Sequence, residues 1–424
     1  MAAMTDDDRL LAIPGVRRLA MDHDEAVVLY VPADDERDPE LSIVVPALNE
    51  GPVIAEFMDW CREGIAGAGV AAEILIVDSS TDRTPEIVLE KGGRVLRVPK
   101  RGLGRAYIDA IPAIRGRYVL LGDADCTYDF RNLAPFLARL REGAEYVMGS
   151  RFKGSIEDGA MPALHRYFGT PLTNAILNLV YGTRFSDIHC GMRALTLDAF
   201  RRLRLVSQSW EYASEMIIKA VRLGLRTAEV PVSFLKDREG RTSHHRRLGW
   251  FSPWHAGWIN LRTMLVHGAD FFALKPGLVL LLLGLAIVLP LAAGPVRLGG
   301  VLLSLNSMLF GGALTLVGLQ GVFLGCMAQS LYDPSGAAMA RWTRFFAYTP
   351  MALGTGTIFL TGLYLDIRFA RDYVAAGYRV TSELVDANHG AVLGLLAMLM
   401  ALIAFVSTLL LHALAAYAGR GRAS

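Results

Sequence analysis

Charge is scarce in this chain, and what there is nearly cancels. Of 424 residues only 20% are Asp, Glu, Lys or Arg, and 43 basic against 41 acidic side chains leave a formal charge of +2. Soluble domains carry about 25% charged residues, and so even a balance shows no electrostatic footprint for nucleic acid. Cysteine is equally sparse: Cys61, Cys126, Cys190 and Cys326 lie too far apart for a zinc pattern or a small disulfide scaffold. They read as reduced, mostly buried thiols in a cytosol-facing protein. No basic stretch followed by a short apolar core opens the chain; Met1 to Asp8 is acidic, which argues against a cleaved signal peptide. His165, His189, His244, His245 and His255 form no metal-ligand spacing and read as surface or hydrogen-bonding residues. What the chain has in excess is apolar residues, at 53% against a usual value of roughly 45–50%.

That excess sits at one end. Pro276–Val296 is 21 residues without Asp, Glu, Lys or Arg, Leu298–Tyr332 is 35, Phe345–Leu365 is 21 and Ala387–Gly419 is 33. A bilayer span needs about 20 such residues, which predicts four transmembrane helices at about 275–295, 301–328, 345–366 and 390–416. Gly294, Pro295, Gly299 and Gly300 predict a tight hairpin between the first two. Gly311, Gly312, Gly318, Gly321 and Gly325 suit close helix packing, and equally homo-oligomerisation. Arg341, Arg344, Arg420 and Arg422 predict that the soluble part and both termini face the cytoplasm, although Arg368, Arg371 and Arg379 then fall outside; the expected membrane is that of a bacterial or archaeal cell. The expected organisation is an extension over 1–40, a catalytic domain over 41–243, a juxtamembrane segment over 244–272 and a membrane domain over 273–419.

Before residue 270 the pattern alternates. Short β-branched runs at Leu41–Val45, Glu73–Val77, Arg94–Val98, Tyr118–Leu121 and Tyr146–Met148 read as strands. Val53–Ile65, Thr84–Lys91 and Gly104–Ile114 between them read as helices. Ala26–Val31 reads as an added edge strand. The alternation predicts an α/β domain with a mostly parallel, Rossmann-like sheet, whose ligand sits beyond the carboxyl ends of the strands. Polar residues cluster at those ends: Asn49 and Glu50, then Asp78, Ser79, Ser80 and Asp82, then Asp123 and Asp125. Asp78, Ser79 or Thr81 taken singly also fits a helix cap or a turn. Convergence of all three clusters on one edge favours a site. Asp123-Ala124-Asp125 sets two carboxylates on one face of extended chain, a hard-oxygen pair suited to Mg²⁺ or Mn²⁺ bridging a diphosphate. Lys100-Arg101-Gly102-Leu103-Gly104 adds cations and flexible backbone of the kind that cradles phosphate.

Pro46-Ala-Leu-Asn49-Glu50, Val77-Asp78-Ser-Ser-Thr-Asp82, Gly102-Leu-Gly104-Arg-Ala-Tyr107 and Asp123-Ala-Asp125 resemble the ordered motifs of inverting family 2 glycosyltransferases of the GT-A fold. Gly149-Ser-Arg151-Phe152, Asp187-Ile-His-Cys-Gly191-Met-Arg193 and Phe234-Leu-Lys-Asp-Arg238-Glu-Gly240-Arg-Thr-Ser243 are similar to the polyprenyl-phosphate (dolichyl-phosphate) hexose synthase branch. The resemblance covers about residues 40 to 270. It implies that Pro46, Ala47, Asn49, Glu50, Asp78, Ser79, Lys100, Gly102, Asp123 and Ala124 bind the nucleotide-sugar donor, and that Asp123 and Asp125 hold the metal. It implies further that Asp125, Arg151, Asp187 and Arg193 form the catalytic group, and that Arg151, Arg166, Arg238 and Ser243 address the acceptor phosphate. Ser79 and Ser80 depart from the pattern, which leaves the donor base open; Thr127 stands where some relatives carry a metal-ligating amide, and His244-His245 where a lysine is common.

The chemistry is coherent without the resemblance. A lipid phosphate monoester has a second pKa near 6 and is a nucleophile at neutral pH without a general base. It needs a cationic anchor, and a guanidinium binds phosphate oxygens in pairs. Asp187 either orients a sugar hydroxyl or acts as a base. The acceptor requires a membrane-facing surface: Leu164–Tyr181 carries apolar residues at helical spacing, broken or restarted at Pro171, and reads as interfacial or as an ordinary core helix. Arg246-Arg247 with Trp250, Trp254 and Trp258 suits an interfacial helix. The expected activity is transfer of one hexose, from UDP-glucose or else GDP-mannose, to polyprenyl phosphate. A processive polysaccharide synthase is disfavoured, since no Q-x-x-R-W sequence is present. A transporter with a nucleotide-binding domain is disfavoured by the near absence of charge in the spans.

Overall fold

The computed structural model describes residues 6–21, 24–238, 252–333, 335–379 and 382–420. The chain forms two compact units, Met1–Met264 and Leu265–Ser424. The first is built on a sheet of strands β1 (Arg17–Ala20), β2 (Val28–Val31), β3 (Leu41–Ala47), β4 (Ala72–Asp78), β5 (Arg94–Arg97), β6 (Tyr118–Leu121), β7 (Tyr146–Ile156), β8 (Arg193–Thr196) and β9 (Thr227–Phe234). Their order is β1-β2-β5-β4-β3-β6-β8-β7-β9.

β3 pairs in parallel with β4 and β6, and β4 with β5. These are the runs that the β-branched pattern marks, and all are buried on both faces, as a parallel sheet requires. β3 continues through Pro46 to Ala47 rather than stopping before the proline. The sheet is mixed rather than mostly parallel in its pairing. β8 enters antiparallel between β6 and β7, and β2 is antiparallel to β5. Helices Ile54–Ala68, Thr84–Glu90 and Leu103–Ala110 fill the expected connections. β2 is not an edge: β1 covers it, and Val27, Leu29, Tyr30 and Val31 join the core.

In the second unit, Ala269–Leu291, Leu305–Tyr332 and a 30-residue stretch Asn388–Tyr417 are helices long and apolar enough to cross a membrane. Tyr348–Ala375 is also a long helix. It runs past Leu365 through Asp366, Arg368, Arg371 and Asp372, and does not join that set by length and composition. The first two helices are joined by a small hairpin, Val296–Leu298 with Val301–Leu303, turning at Gly299 and Gly300. Both glycines have positive φ, 56° and 86°, the requirement of a tight two-residue turn.

Glycine also sets how closely those helices approach. A Cβ on Gly277 would lie 2.7 Å from the backbone of Gly321 and Val322 and 3.0 Å from the Gly318 carbonyl oxygen. Backbone cannot swing aside, so Gly277→Val is expected to force the pair apart. Overpacking of this kind costs about 1–3 kcal/mol, read as a lower melting midpoint of the detergent-solubilised protein.

Candidate active site

Asn49 opens the site from the end of β3. Its φ of 58° is left-handed, a conformation that asparagine tolerates better than most residues. In it the Asn49 N–H donates to Ser80 Oγ at 2.7 Å, and Oδ1 accepts the Thr81 N–H at 2.8 Å. The Glu50 N–H donates to Thr84 Oγ1 (3.0 Å) and the Gly51 N–H to Asp82 Oδ2 (3.0 Å). Asp82 Oδ1 accepts the Thr84 N–H at 3.0 Å, at the first residue of the next helix. The loops after β3 and β4 are thereby stitched into one rim. Ser79 Oγ donates to the Val98 carbonyl at 2.9 Å, tying in β5.

Asp78 is turned inward. It is fully buried, ion-paired with Arg97, and accepts the Ser80 N–H at 3.3 Å. Burial raises its pKa and the Arg97 guanidinium opposes the rise. Arg97, which no sequence motif marks, also donates to the Ser80 carbonyl at 2.9 Å and so supports the loop from behind. Gly102 and Gly104 are explained by packing: a side chain on either would strike the backbone of Ser207–Ser209. Gly102 has φ of +113°, and Lys100 beside it is exposed.

At the end of β6, Gly122 is glycine because a Cβ would meet the Phe130 ring. Asp123 and Asp125 follow, both half-buried, with Ala124 buried between them. Asp125 Oδ1 accepts the Thr127 N–H (3.0 Å) and hydroxyl (2.6 Å), which fixes the turn through Cys126 at φ 58°. Burial pushes the Cys126 thiol up to about 12, Glu56 adds to this, Arg238 opposes it, and Asp125 and Glu50 add again. Glu50, Asp125 and Arg238 all act electrostatically on this thiol. Arg238 is held by Glu56, at 2.6 Å, and lies over Trp60. All four cysteines are free and buried, and burial pushes Cys190 up to about 12 as well. Among the described residues no three His, Cys, Asp or Glu side chains gather as a metal site. Two carboxylates without a third suit a divalent ion whose other ligands are substrate phosphates and water.

The loop between Asp187 and Arg193 runs past this turn. A side chain on Gly191 would collide with the Asp123 carboxylate, and the Gly191 N–H donates to Tyr128 Oη at 2.8 Å. Asp187 is fully buried and takes Arg151 through Nε (2.6 Å), Nη2 (2.8 Å) and the backbone N–H (3.0 Å). The guanidinium lies over the Phe234 ring at 5.1 Å. Arg193 is in the core: it is fully buried and donates to the Cys190 (2.6 Å) and Ala213 (3.0 Å) carbonyls. Glu229 on β9, unmarked by any motif, accepts from Ser186 N–H at 2.8 Å and from Lys153 at 2.5 Å, holding the same loop.

His189 bonds Thr173 Oγ1 at 2.9 Å, tying the loop to helix Thr170–Tyr181. Burial lowers its pKa from 6.5 to about 4, with Asp187 opposing and Arg151 assisting. Between pH 6.5 and 4 the unfolded imidazole binds a proton that the folded one refuses. Stability is therefore complete above that window and falls as pH drops through it, by on the order of 3 kcal/mol at most. His189→Gln is expected to flatten the dependence of the melting midpoint on pH across that window.

Beside it, His165 is lowered by burial and by the Arg151 guanidinium; it opens the wide helical turn His165–Gly169, in which Arg166 lies over the Tyr167 ring. Pro171 sits in the first turn of the helix that follows. Its inward residues are Thr170, Asn174 and Leu177, while Leu164, Tyr167, Phe168, Leu172 and Leu179 are exposed. The apolar face is thus outside, not in the core. Trp258 is exposed on helix Ser252–His267. Ser243, His244, His245, Arg246, Arg247 and Trp250 lie outside the described residues.

A mixed sheet whose parallel strands end in stitched polar loops, with an Asp-x-Asp turn where the antiparallel strand enters, is the plan of a GT-A glycosyltransferase. The chain belongs to glycosyltransferase family 2: the profile described as "Glycosyl transferase family 2" matches residues 42–204. It is 37% identical over 325 residues to the low-salt glycan biosynthesis hexosyltransferase Agl6 of Haloferax volcanii, covering 76% of each chain. It is 31% identical over 211 residues to the dolichyl-phosphate hexose transferase of the same organism, covering 48% of this chain and 86% of that one. Among solved structures, mannosyl-3-phosphoglycerate synthase from Rubrobacter xylanophilus is similar at a TM-score of 0.42 with 21% identity, over 53% of this chain and 73% of that one.

Proposed function

We propose that this glycosyltransferase is a multi-pass membrane enzyme, with its catalytic unit on the cytoplasmic face, that transfers one hexose from a nucleotide sugar to polyprenyl phosphate with inversion. The observation that carries the reading is the meeting of two features: the Asp123–Asp125 turn against the Gly191 loop, and the buried pair that Arg151 of β7 makes with Asp187 of that same loop. The relative named a dolichyl-phosphate hexose transferase and the exposed apolar residues Leu164, Tyr167, Phe168, Leu172 and Leu179 favour a lipid acceptor, since contiguous exposed apolar surface marks a docking site.

In this reading the rim formed by Pro46, Ala47, Asn49, Glu50, Ser79 and Ala124, with Lys100 and Gly102 beside it, receives the nucleoside, and Asp78 holds the rim from behind. Asp123 and Asp125 face the diphosphate and would hold Mg²⁺ or Mn²⁺. Such an ion, when bound, neutralises charge on the departing diphosphate. Asp187 fixes one edge of Arg151, leaving Nη1 for the acceptor phosphate, with Arg166 and Arg238 as further cations and Ser243 on the following loop. Arg193 supports the Cys190 carbonyl and positions the loop. A phosphate oxygen then bonds to the anomeric carbon as the bond to the nucleoside diphosphate breaks, and the electron pair leaves on the diphosphate. No proton transfer is required, which leaves Asp187 the orienting role. The long helices of the second unit, Tyr348–Ala375 included as a fourth span, anchor the enzyme where its acceptor is dissolved.

UDP-glucose is the favoured donor and GDP-mannose the second. The test is purified protein in detergent with polyprenyl phosphate, Mg²⁺ or Mn²⁺ and a panel of radiolabelled nucleotide sugars. One donor is expected to label the organic phase; labelling by none, with nucleotide sugar bound, would contradict the acceptor.

A further inference from the structure

We propose that the N-terminal segment Asp6–Val31 is a positioning element for the nucleotide-binding loops, acting on the loop after β5 through the ion pair of Asp24 with Arg101. The inference rests on the reading of the β3–β5 rim as the donor site. The segment lies before the family match, which begins at residue 42, yet it is built into the sheet. β2 pairs antiparallel with β5, setting Val28 opposite Arg97, the residue that holds Asp78. Helix Asp6–Leu11 is locked to β2 by the Tyr30 hydroxyl, which donates to Asp7.

From that frame two contacts reach the rim. Arg9 approaches Glu86 at 3.7 Å, and with the buried Leu10 it lines a small crevice whose other wall is Ser80, Thr81 and Asp82. The stitched loop is therefore held by Asn49 on one side and backed by the first helix on the other. Asp24 Oδ2 meets Arg101 Nη1 at 2.5 Å, while Asp24 Oδ1 accepts the Ala26 N–H at 2.9 Å. Arg101 stands between Lys100 and Gly102, in a loop that otherwise rests on backbone packing against Ser207–Ser209. An aspartate that closes its own turn with one oxygen and takes the loop with the other sets where that loop stands. Neither residue touches the reacting atoms, so the effect falls on donor affinity rather than on turnover.

Asp24→Asn keeps the acceptor for Ala26 and removes the charge facing Arg101; Asp24→Glu keeps the charge. The full chain in detergent is titrated with UDP and with GDP in the presence of Mn²⁺, its melting midpoint is measured, and hydrogen exchange is followed over residues 99–105. The expected result is about threefold weaker nucleotide binding in Asp24→Asn, within the range of a partly exposed ion pair. Faster exchange over 99–105, an unchanged melting midpoint and recovery in Asp24→Glu accompany it. Equal affinity in Asp24→Asn, or a loss shared by Asp24→Glu that follows a fallen melting midpoint, would overturn the proposal. A wild-type protein that binds neither nucleotide would instead overturn the donor-site reading, and the inference with it.

Discussion

Asp125→Asn is expected to cut hexose transfer on the order of a thousandfold and to leave the fold intact. Asparagine keeps an oxygen for the Thr127 N–H, which Asp125 Oδ1 accepts at 3.0 Å, so the turn through Cys126 survives. What is lost is the negative charge that the proposed reaction sets against the departing diphosphate, and electrostatic groups of this kind are each worth about 10²- to 10³-fold, more where a divalent ion depends on them. The measurement is labelled hexose entering lipid at saturating donor, with the melting midpoint as the control for folding. A variant as active as wild type, with its melting curve unchanged, would remove Asp125 from the chemistry.

Breaking the pair between Arg151 and Asp187 is expected to be as damaging by a different route. Asp187 is fully buried and Arg151 is 8% exposed. Removing one partner leaves the other as an uncompensated buried charge, at a cost of about 3–5 kcal/mol, whereas replacing both by apolar groups of similar volume is often neutral. Arg151→Ala and Asp187→Ala should each lower the midpoint of denaturant unfolding sharply. Arg151→Met with Asp187→Leu should recover much of that stability and none of the transfer activity. Recovery of stability and activity together would make the pair a structural prop and leave the acceptor phosphate without its anchor.

What could be read from the sequence follows the physics of each element. β3, β4, β5 and β6 are short β-branched runs because both faces of a parallel strand are buried, and their pattern is local. β8 is Arg-Ala-Leu-Thr and β9 carries Pro231; neither has a strand signature, and their places are fixed by non-local pairing with β6 and β7. The long helices follow from charge-free runs, but Tyr348–Ala375 extends beyond its run into Asp366, Arg368, Arg371 and Asp372, which dilutes the signal.

The candidate site divides in the same way. The Asp-x-Asp turn and the Asn49 and Asp82 loops are legible because the polar residues that form each cluster are adjacent in sequence. The pairing of Arg151 with Asp187 across 36 positions, the burial of Arg193 and the backing of Asp78 by Arg97 are not, since chain distance carries no sign of them. Nor does composition distinguish an apolar helix face turned outward, as at Phe168 and Leu172, from one turned into a core.

In the proposed reaction a lipid phosphate monoester accepts the hexose. The most direct measurement gives the purified enzyme its labelled donor and metal with polyprenyl phosphate, with polyprenol, or with no lipid. Organic-phase label is expected with polyprenyl phosphate alone, released by mild acid as a single hexose. Label that appears equally with polyprenol, or that grows into polymer without any lipid, would contradict it.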